Sequence, residues 1–149
     1  MEIRTAVPAD LDALAAIEAA CFPAAEAAGR ESLARRLAVY PEHFWLLLEE
    51  GKPVAFVNGM CTDTPDLADE MYEDASLHSE SGAWQMIFGV DTLPDFRRQG
   101  CAARLLHHVI DQARAQGRKG VVLTCKDKLV HYYATFGFVN EGVSRSTHG

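Results

Sequence analysis

The stretch best suited to chemistry is Arg97-Arg98-Gln99-Gly100-Cys101-Ala102. It stands between an apolar strand-like run, Trp84 to Val90, and a helix-like run from about Ala103 to Gln116. A strand, a tight Arg/Gly turn and a helix start together make an anion site. The first N–H groups of a helix lack intrahelical partners, and the macrodipole adds about half a positive charge there. Gly100 removes a side chain where a phosphate needs close approach, and small Ala102 keeps the second gap open. Arg97 and Arg98 add fixed charge suited to phosphate oxygens. The stretch reads as a diphosphate cradle. It contains neither Gly-x-Gly-x-x-Gly nor Gly-x-x-x-x-Gly-Lys-[Ser/Thr], which sets aside the dinucleotide fingerprint and the P-loop.

Other reactive residue types are weaker signals. His107 and His108 are adjacent on a helix, where neighbours diverge by about 100°, so they do not share one ion unaided. Cys21, Cys61, Cys101 and Cys125 are widely spaced with no Cys-x-x-Cys pair, as in reduced thiols rather than a disulfide frame or zinc site. No metal is expected.

The elements that must position the cradle follow from pattern. Residues 2–7 alternate as a first strand. Leu11, Leu14, Ile17 and Cys21 share one helical face, and Phe22-Pro23 ends that helix. Residues 31–37 form a second short helix, stopped by Pro41. Strand-like runs at 44–49 and 54–61 are joined by Glu50-Gly51-Lys52-Pro53 as a hairpin. Residues 62–81 show no sustained periodicity, carry seven acids and no Lys or Arg, and read as a long loop. Residues 84–92 make the central strand. The helix that follows turns Leu105, Leu106, Val109, Ile110 and Ala113 inward and closes at Gly117-Arg118-Lys119-Gly120. Residues 121–125 are a short parallel strand, joined to the central one by a right-handed crossover. Lys128 to Thr135 is a short helix carrying Tyr132 and Tyr133, and Phe136 to Val139 a last strand. The expected fold class is α/β (α+β): a mixed, mostly antiparallel sheet with a parallel β-α-β unit and about four helices, in one domain spanning 1–149.

Bulk properties bound the partners. The chain has 149 residues, enough for a substantial core. A formal charge of −7 argues against nucleic acid or an anionic membrane and suits a cationic ligand. No run approaches membrane-spanning length and the first residues are not an export segment, so a soluble, cytoplasmic protein is expected.

Two separated motifs, in order and on the right elements, resemble the GCN5-related N-acetyltransferase (GNAT) family over nearly the whole chain. Arg97, Gly100 and Ala102 fill the family's [Arg/Gln]-x-x-Gly-x-[Gly/Ala] pyrophosphate motif, and Tyr133 to Phe138 its late Tyr-x-x-x-Gly-Phe. Residues 21–28 and 123–130 are similar to the arylalkylamine (serotonin-type) branch. The resemblance implies acetyl-CoA as cosubstrate, held in a V-shaped opening between the central strand and the strand at 121–125. Backbone at Val90, Asp91 and Thr92 would pair with pantetheine. Arg97, Arg98, Gln99, Gly100, Cys101, Ala102 and Ala103 would hold the diphosphate. Tyr133 would protonate the leaving thiolate, with Tyr132 pointing elsewhere. A backbone N–H near Val90 would meet the oxyanion.

The resemblance breaks at the base. Where the serotonin-type enzymes carry two histidines, this chain has Met86 and Phe88. An amine with a pKa of about 10 must lose a proton before attack. Ordered water leading to Asp91, Glu70, Glu26 or His78 is the expected route. Phe22, Glu26, Met86 and Phe88 are the expected acceptor contacts, with Met60, Met71, Tyr72 and Trp84 as further apolar lining. The activity implied is acetyl transfer to a small-molecule primary amine by direct attack. A protein or peptide amine acceptor and a non-catalytic acyl-CoA-binding module are the alternatives. The family fold also has a strand after residues 138–143, and no apolar run follows Val143 here. That strand lies outside this chain or comes from a partner, and an unpaired edge makes a homodimer an expected arrangement.

Overall fold

The structure is a computed structural model and describes residues 1–142. In chain order the regular elements are β1 (Glu2–Thr5), α1 (Leu11–Cys21), α2 (Arg30–Val39), β2 (Phe44–Glu49), β3 (Lys52–Asn58), β4 (Cys61–Thr62), α3 (Asp69–Glu73), β5 (Trp84–Ile87), β6 (Gly89–Thr92), α4 (Cys101–Ala115), β7 (Gly120–Leu123) and α5 (Val130–Ala134). They build two sheets, an antiparallel β1-β2-β3-β6 and a smaller β4-β5-β7 in which β5 and β7 run parallel.

The expected hairpin is tighter than its four-residue turn. Glu50 (φ 50°) and Gly51 (φ 80°) both take left-handed backbone, the geometry of a two-residue hairpin turn, so Lys52 and Pro53 already belong to β3. Pro53 is tolerated because the register slips at Leu47/Leu48.

The two expected long strands are each broken, and the breaks face one another. The run at 54–61 divides at Gly59-Met60, and the run at 84–92 divides at Phe88. A Cβ on Gly59 would lie 1.9 Å from the Met86 carbonyl oxygen, so only glycine permits that approach. The Met86 N–H donates to Met60 O at 2.8 Å, and the Phe88 N–H donates to Asn58 O at 2.7 Å. The central strand therefore starts in one sheet and finishes in the other.

Side chains alternate across the sheet. Phe44, Leu46, Phe56 and Met86 face α1 and α2, whereas Trp45, Leu47, Ala55, Val57 and Ile87 face α4. On α4 the buried residues are Cys101, Leu105, Leu106, Val109 and Ala113, with Ile110 half-buried. Gly117 (φ 75°) ends that helix, with Gly117 N–H donating to Arg114 O and Arg118 N–H to Ala113 O. Residues 62–81 are more ordered than an acidic loop: Leu67, Met71, Tyr72 and Ala75 are buried, and α3 lies among them. Apolar contact outweighs the surrounding charge.

The expected strand over Phe136–Val139 does not form. Residues 136–137 belong to a turn, and 138–142 show no regular pairing among the described residues. Phe136 and Phe138 instead pack as anchors against the α4 side of the core. The expectations that rest on Val143 and beyond lie outside the described residues.

Candidate active site

The cradle is a strained turn at the start of α4. Gly100 has φ 79°, and Arg98, with a full side chain, has φ 63°. Left-handed backbone at a non-glycine residue marks a constrained and often functional turn. None of the amides from Arg98 to Ala103 donates to a backbone carbonyl among the described residues, and the first helical bond is Arg104 N–H to Gly100 O at 3.0 Å. A Cβ on Gly100 would meet nothing within 4 Å, so the space before these amides is open. A cavity of about 410 Å³ lies there, lined by Thr92, Phe96, Arg97, Arg98, Gly100, Cys101, Ala102, Ala103 and Tyr132. The free amides, two arginines and open volume fit a diphosphate.

Upstream of the cradle the sheet is split. Pairing of β5 with β7 ends at Ile87–Leu123, after which β6 pairs only with β3. Leu93 N–H donates to Val54 O, so the antiparallel alternation turns the backbone of Asp91 toward β3 and that of Val90 and Thr92 toward the opening. The Thr92 carbonyl already accepts from Cys21 Sγ and from Arg97 Nε, each at 3.2 Å. Of the expected pantetheine contacts, Val90 and Thr92 are placed to pair; Asp91 spends its backbone on the sheet.

The opposite wall carries Tyr133. It is half-buried against the α4 side of the core, and its ring meets Phe138 edge-on at 6.0 Å. Burial, with Tyr132, Cys125 and Asp91 nearby, pushes its phenol up to about 12. The hydroxyl therefore stays protonated at neutral pH. Tyr132, expected to point away, instead lines the cradle cavity. On a helix as short as α5 consecutive tyrosines flank different walls, and no spacing in the sequence distinguishes which one meets the cradle.

On β6 itself sits a buried carboxyl group. Asp91 is fully enclosed and neither carboxyl oxygen meets a donor among the described residues. Burial first, and then the facing Glu18 carboxyl, push its pKa well above the usual carboxylate range, with Arg36 pulling it back. Glu18 Oε2 accepts the Ala28 N–H at 2.9 Å, a donor that the Asp91 carboxyl lacks. Arg36, also buried, donates to Asn58 Oδ1 at 3.0 Å and to Tyr72 O at 2.9 Å.

The remaining expected residues scatter. Glu70 is exposed on α3. Glu26 is exposed on the loop after α1, 3.9 Å from Lys126 Nζ on the far side of the opening. Phe22 is half-buried beside that loop, Phe88 is half-buried at the strand break, and Met86 is fully enclosed in the core.

His78 belongs to a different cluster. Its Nδ1 accepts the Cys61 N–H at 3.0 Å, so its hydrogen is on Nε2, 2.9 Å from Glu80 Oε1. His43 Nδ1 faces Gln85 Oε1 at 2.8 Å, and the Gln85 amide nitrogen donates to Gly59 O and Met86 O, which fixes Oε1 as an acceptor. His43 Nε2 lies 3.0 Å from both Glu80 oxygens. Both His43 nitrogens thus face side-chain oxygens. Arg118 adds bonds to Glu80 O, Gly82 O and the Glu80 carboxylate. His43, His78 and Glu80 lie close enough together to hold a metal, which would have to displace the proton from His78 Nε2. The cluster is a clamp on residues 79–83.

A helix-start cradle reached by a split central strand is a feature that family comparison can decide. The model of the Acetyltransferase (GNAT) family matches residues 11–138. The chain belongs to the GNAT acetyltransferase family. A curated GNAT relative, the serotonin N-acetyltransferase of Mesocricetus auratus, is 32% identical over 117 residues, 76% of this chain. The match covers 54% of that relative, so the chain spans about half its length. Among solved structures, a GNAT-like decarboxylase, GphF, in complex with isobutyryl-CoA superposes with a TM-score of 0.77 at 34% identity. That match covers 93% of this chain and 73% of GphF. The loading GNATL domain of CurA from Lyngbya majuscula follows with TM-score 0.76 and 26% identity, over 89% of this chain and 68% of that one. No helix among the described residues is long and apolar enough to cross a membrane.

Proposed function

We propose that this GNAT protein transfers the acetyl group of acetyl-CoA to a primary amine of a small molecule, by direct attack within a ternary complex. The observation that carries the reading is the course of β6. Its Val90 and Thr92 backbone groups face the opening, and the strand runs into the cradle of free amides at Arg98 to Ala103. In this reading pantetheine pairs with β6 and the diphosphate sits against α4. The Val90 N–H meets the carbonyl oxygen as it gains charge, and Tyr133 gives its phenolic proton to the departing thiolate. Exposed Glu26 and Glu70 draw a cationic amine toward the α1 side. Four free cysteines suit a reducing, cytoplasmic setting. Thiol release from acetyl-CoA across a panel of amines tests the reading, with Tyr133→Phe alongside. The expected loss in kcat is about 10²-fold, with coenzyme affinity retained. If coenzyme binds and no amine accelerates release, the amine reading fails and a binding module remains.

A second reading is favoured by one observation: the strand break at Met86 to Phe88 offers no side chain that accepts a proton, whereas Tyr133 stands on the wall of the opening. Met86 and Phe88 cannot accept a proton, and burial raises the Asp91 carboxyl above the usual carboxylate range. Decarboxylation of a 2-carboxyacyl-CoA needs no base. The C–C bond to the carboxylate breaks, CO₂ leaves, and the electron pair becomes a thioester enolate. A backbone N–H steadies the enolate oxygen, and an acid returns one proton to carbon. The structural similarity to a GNAT-like decarboxylase supports this reading. Malonyl-CoA and methylmalonyl-CoA in the same assay, followed by mass spectrometry of the thioester, separate the two. Loss of CO₂ without amine supports the second; turnover only with amine supports the first.

A further inference from the structure

One buried side chain reaches the break in the central strand from α2, and nothing in the family motifs points to it. Arg36, on α2, is 4% exposed. Its Nη1 donates to Asn58 Oδ1 at 3.0 Å, and the carbonyl of that same Asn58 accepts the Phe88 N–H at 2.7 Å. Its Nη2 donates to Tyr72 O at 2.9 Å. The guanidinium carbon sits 5.0 Å from the centre of the Phe88 ring, whose other neighbour is the Tyr72 ring, at 4.6 Å. Phe88, the one residue between β5 and β6, is thus gripped by Arg36 and Tyr72.

We propose that Arg36 is a positioning residue for acyl-CoA chemistry: by bracing Asn58, Tyr72 and Phe88 it fixes the strand break and so aims the Val90 N–H at the thioester oxygen. The inference rests on the reading of β6 as the thioester-binding strand, and it serves amine transfer and decarboxylation alike. A planar fork is what the geometry demands. Two acceptors, a side-chain oxygen from β3 and a backbone oxygen from α3, are reached by separate nitrogens while the flat face covers an aromatic ring. Lysine offers one compact ammonium and no face. Among the described residues Arg36 forms no salt bridge with a carboxylate, and its hydrogen bonds go to an amide oxygen and a backbone carbonyl, so the buried fork braces those two acceptors. Moving the Val90 amide by a fraction of an ångström costs oxyanion stabilisation without touching the cradle, which is built on α4.

The test uses the full chain with Arg36→Ala, Arg36→Lys and Phe88→Leu, each checked for folding by near-ultraviolet circular dichroism. In Arg36→Ala the expected result is a fall in kcat of about 10- to 100-fold. Coenzyme A affinity by calorimetry should stay within a few-fold. Lysine should fail to restore kcat, and methylguanidinium added to Arg36→Ala should restore part of it. An equal fall in kcat and coenzyme affinity would mean a merely structural role and overturn the proposal, as would unchanged kcat in a folded variant. Should the wild type turn over neither amines nor 2-carboxyacyl thioesters, the functional reading fails by itself. The positioning claim is then decided by the Val90 amide resonance on adding acetonyl-CoA, a thioester mimic. The proposal expects a shift in wild type that is lost in Arg36→Ala and reduced in Phe88→Leu; the same shift in all three refutes it.

Discussion

Glu80→Gln offers a direct measure of how the acidic segment is fastened. In the native protein one carboxylate receives hydrogens from His43 and His78, at 2.9–3.0 Å, and from Arg118 at 3.3 Å. His43 is 1% exposed and His78 5%, whereas Glu80 is 69% exposed, so the carboxylate caps enclosed rings from the solvent side. A hydrogen bond to a charged group contributes about 1.5–3 kcal/mol. Solvent screening at Glu80 moves the total toward the lower end of that range. A loss of about 2 kcal/mol corresponds to a drop in Tm of about 4–8 °C for a chain of this size. The pH dependence sharpens the test. Burial lowers the His78 pKa from 6.5, and the hydrogen bonds from His78 and His43 lower Glu80 from 4.5 against its desolvation. In both cases the unfolded chain binds more protons in acid, so both contributions are present at neutral pH and are lost as pH falls, His78 below about 6.5 and Glu80 below about 4.5. Asp91, raised by burial, acts with the opposite sign, so the informative quantity is variant against wild type. The Tm gap should be full at pH 7 and close as pH drops below about 4.5. A gap that is absent at pH 7, or constant to pH 3, would refute the clamp. Zinc that raises Tm by several degrees, or a chelator that lowers it, would show the cluster working as a metal site and not as a hydrogen-bonded clamp.

Other outcomes follow from particular backbone positions. Gly59→Ala places a Cβ 1.9 Å from the Met86 carbonyl oxygen and should cost about 3 kcal/mol in chemical denaturation. Gly51→Ala, with φ 80° but open space around it, should cost only about 1–2 kcal/mol; equal costs would contradict the packing at the strand break. Gly100→Val should weaken coenzyme A binding about tenfold or more while costing about 1–2 kcal/mol of stability, because its Cβ enters the space before the free amides. Unchanged affinity by calorimetry would move the diphosphate elsewhere. Arg97→Ala with Arg98→Ala should flatten the salt dependence of coenzyme binding, since exposed charges act through a screened field.

Much of this protein is local and therefore readable along the chain. The cradle needs a strand end, a glycine and a helix start in immediate succession, and Gly100 with Ala102 supplied them. The amphipathic face of α4, the Glu50-Gly51 turn and the helix stop at Gly117 are likewise settled by neighbours in sequence. Leu67, Met71, Tyr72 and Ala75 also held a helical spacing, obscured by the acids between them.

What the chain could not show one residue at a time are the features created by contact between distant segments. The division of the central strand depends on Gly59 meeting Met86 and on Arg36 reaching Asn58, Tyr72 and Phe88. Along the chain Asp91 reads as a strand residue and a candidate base. Its pKa rises only because the core removes water and α1 brings Glu18 against it. Which of Tyr132 and Tyr133 meets the cradle, and that His43, His78 and Arg118 share one carboxylate, are likewise matters of packing. Sequence alone determined α1, α2 and α4 and the glycine-to-helix junction of the cradle, because backbone preference and periodicity act between neighbours. The tertiary structure decided where the strand splits and which buried carboxyl has its pKa raised, because desolvation and close approach exist only once distant segments meet.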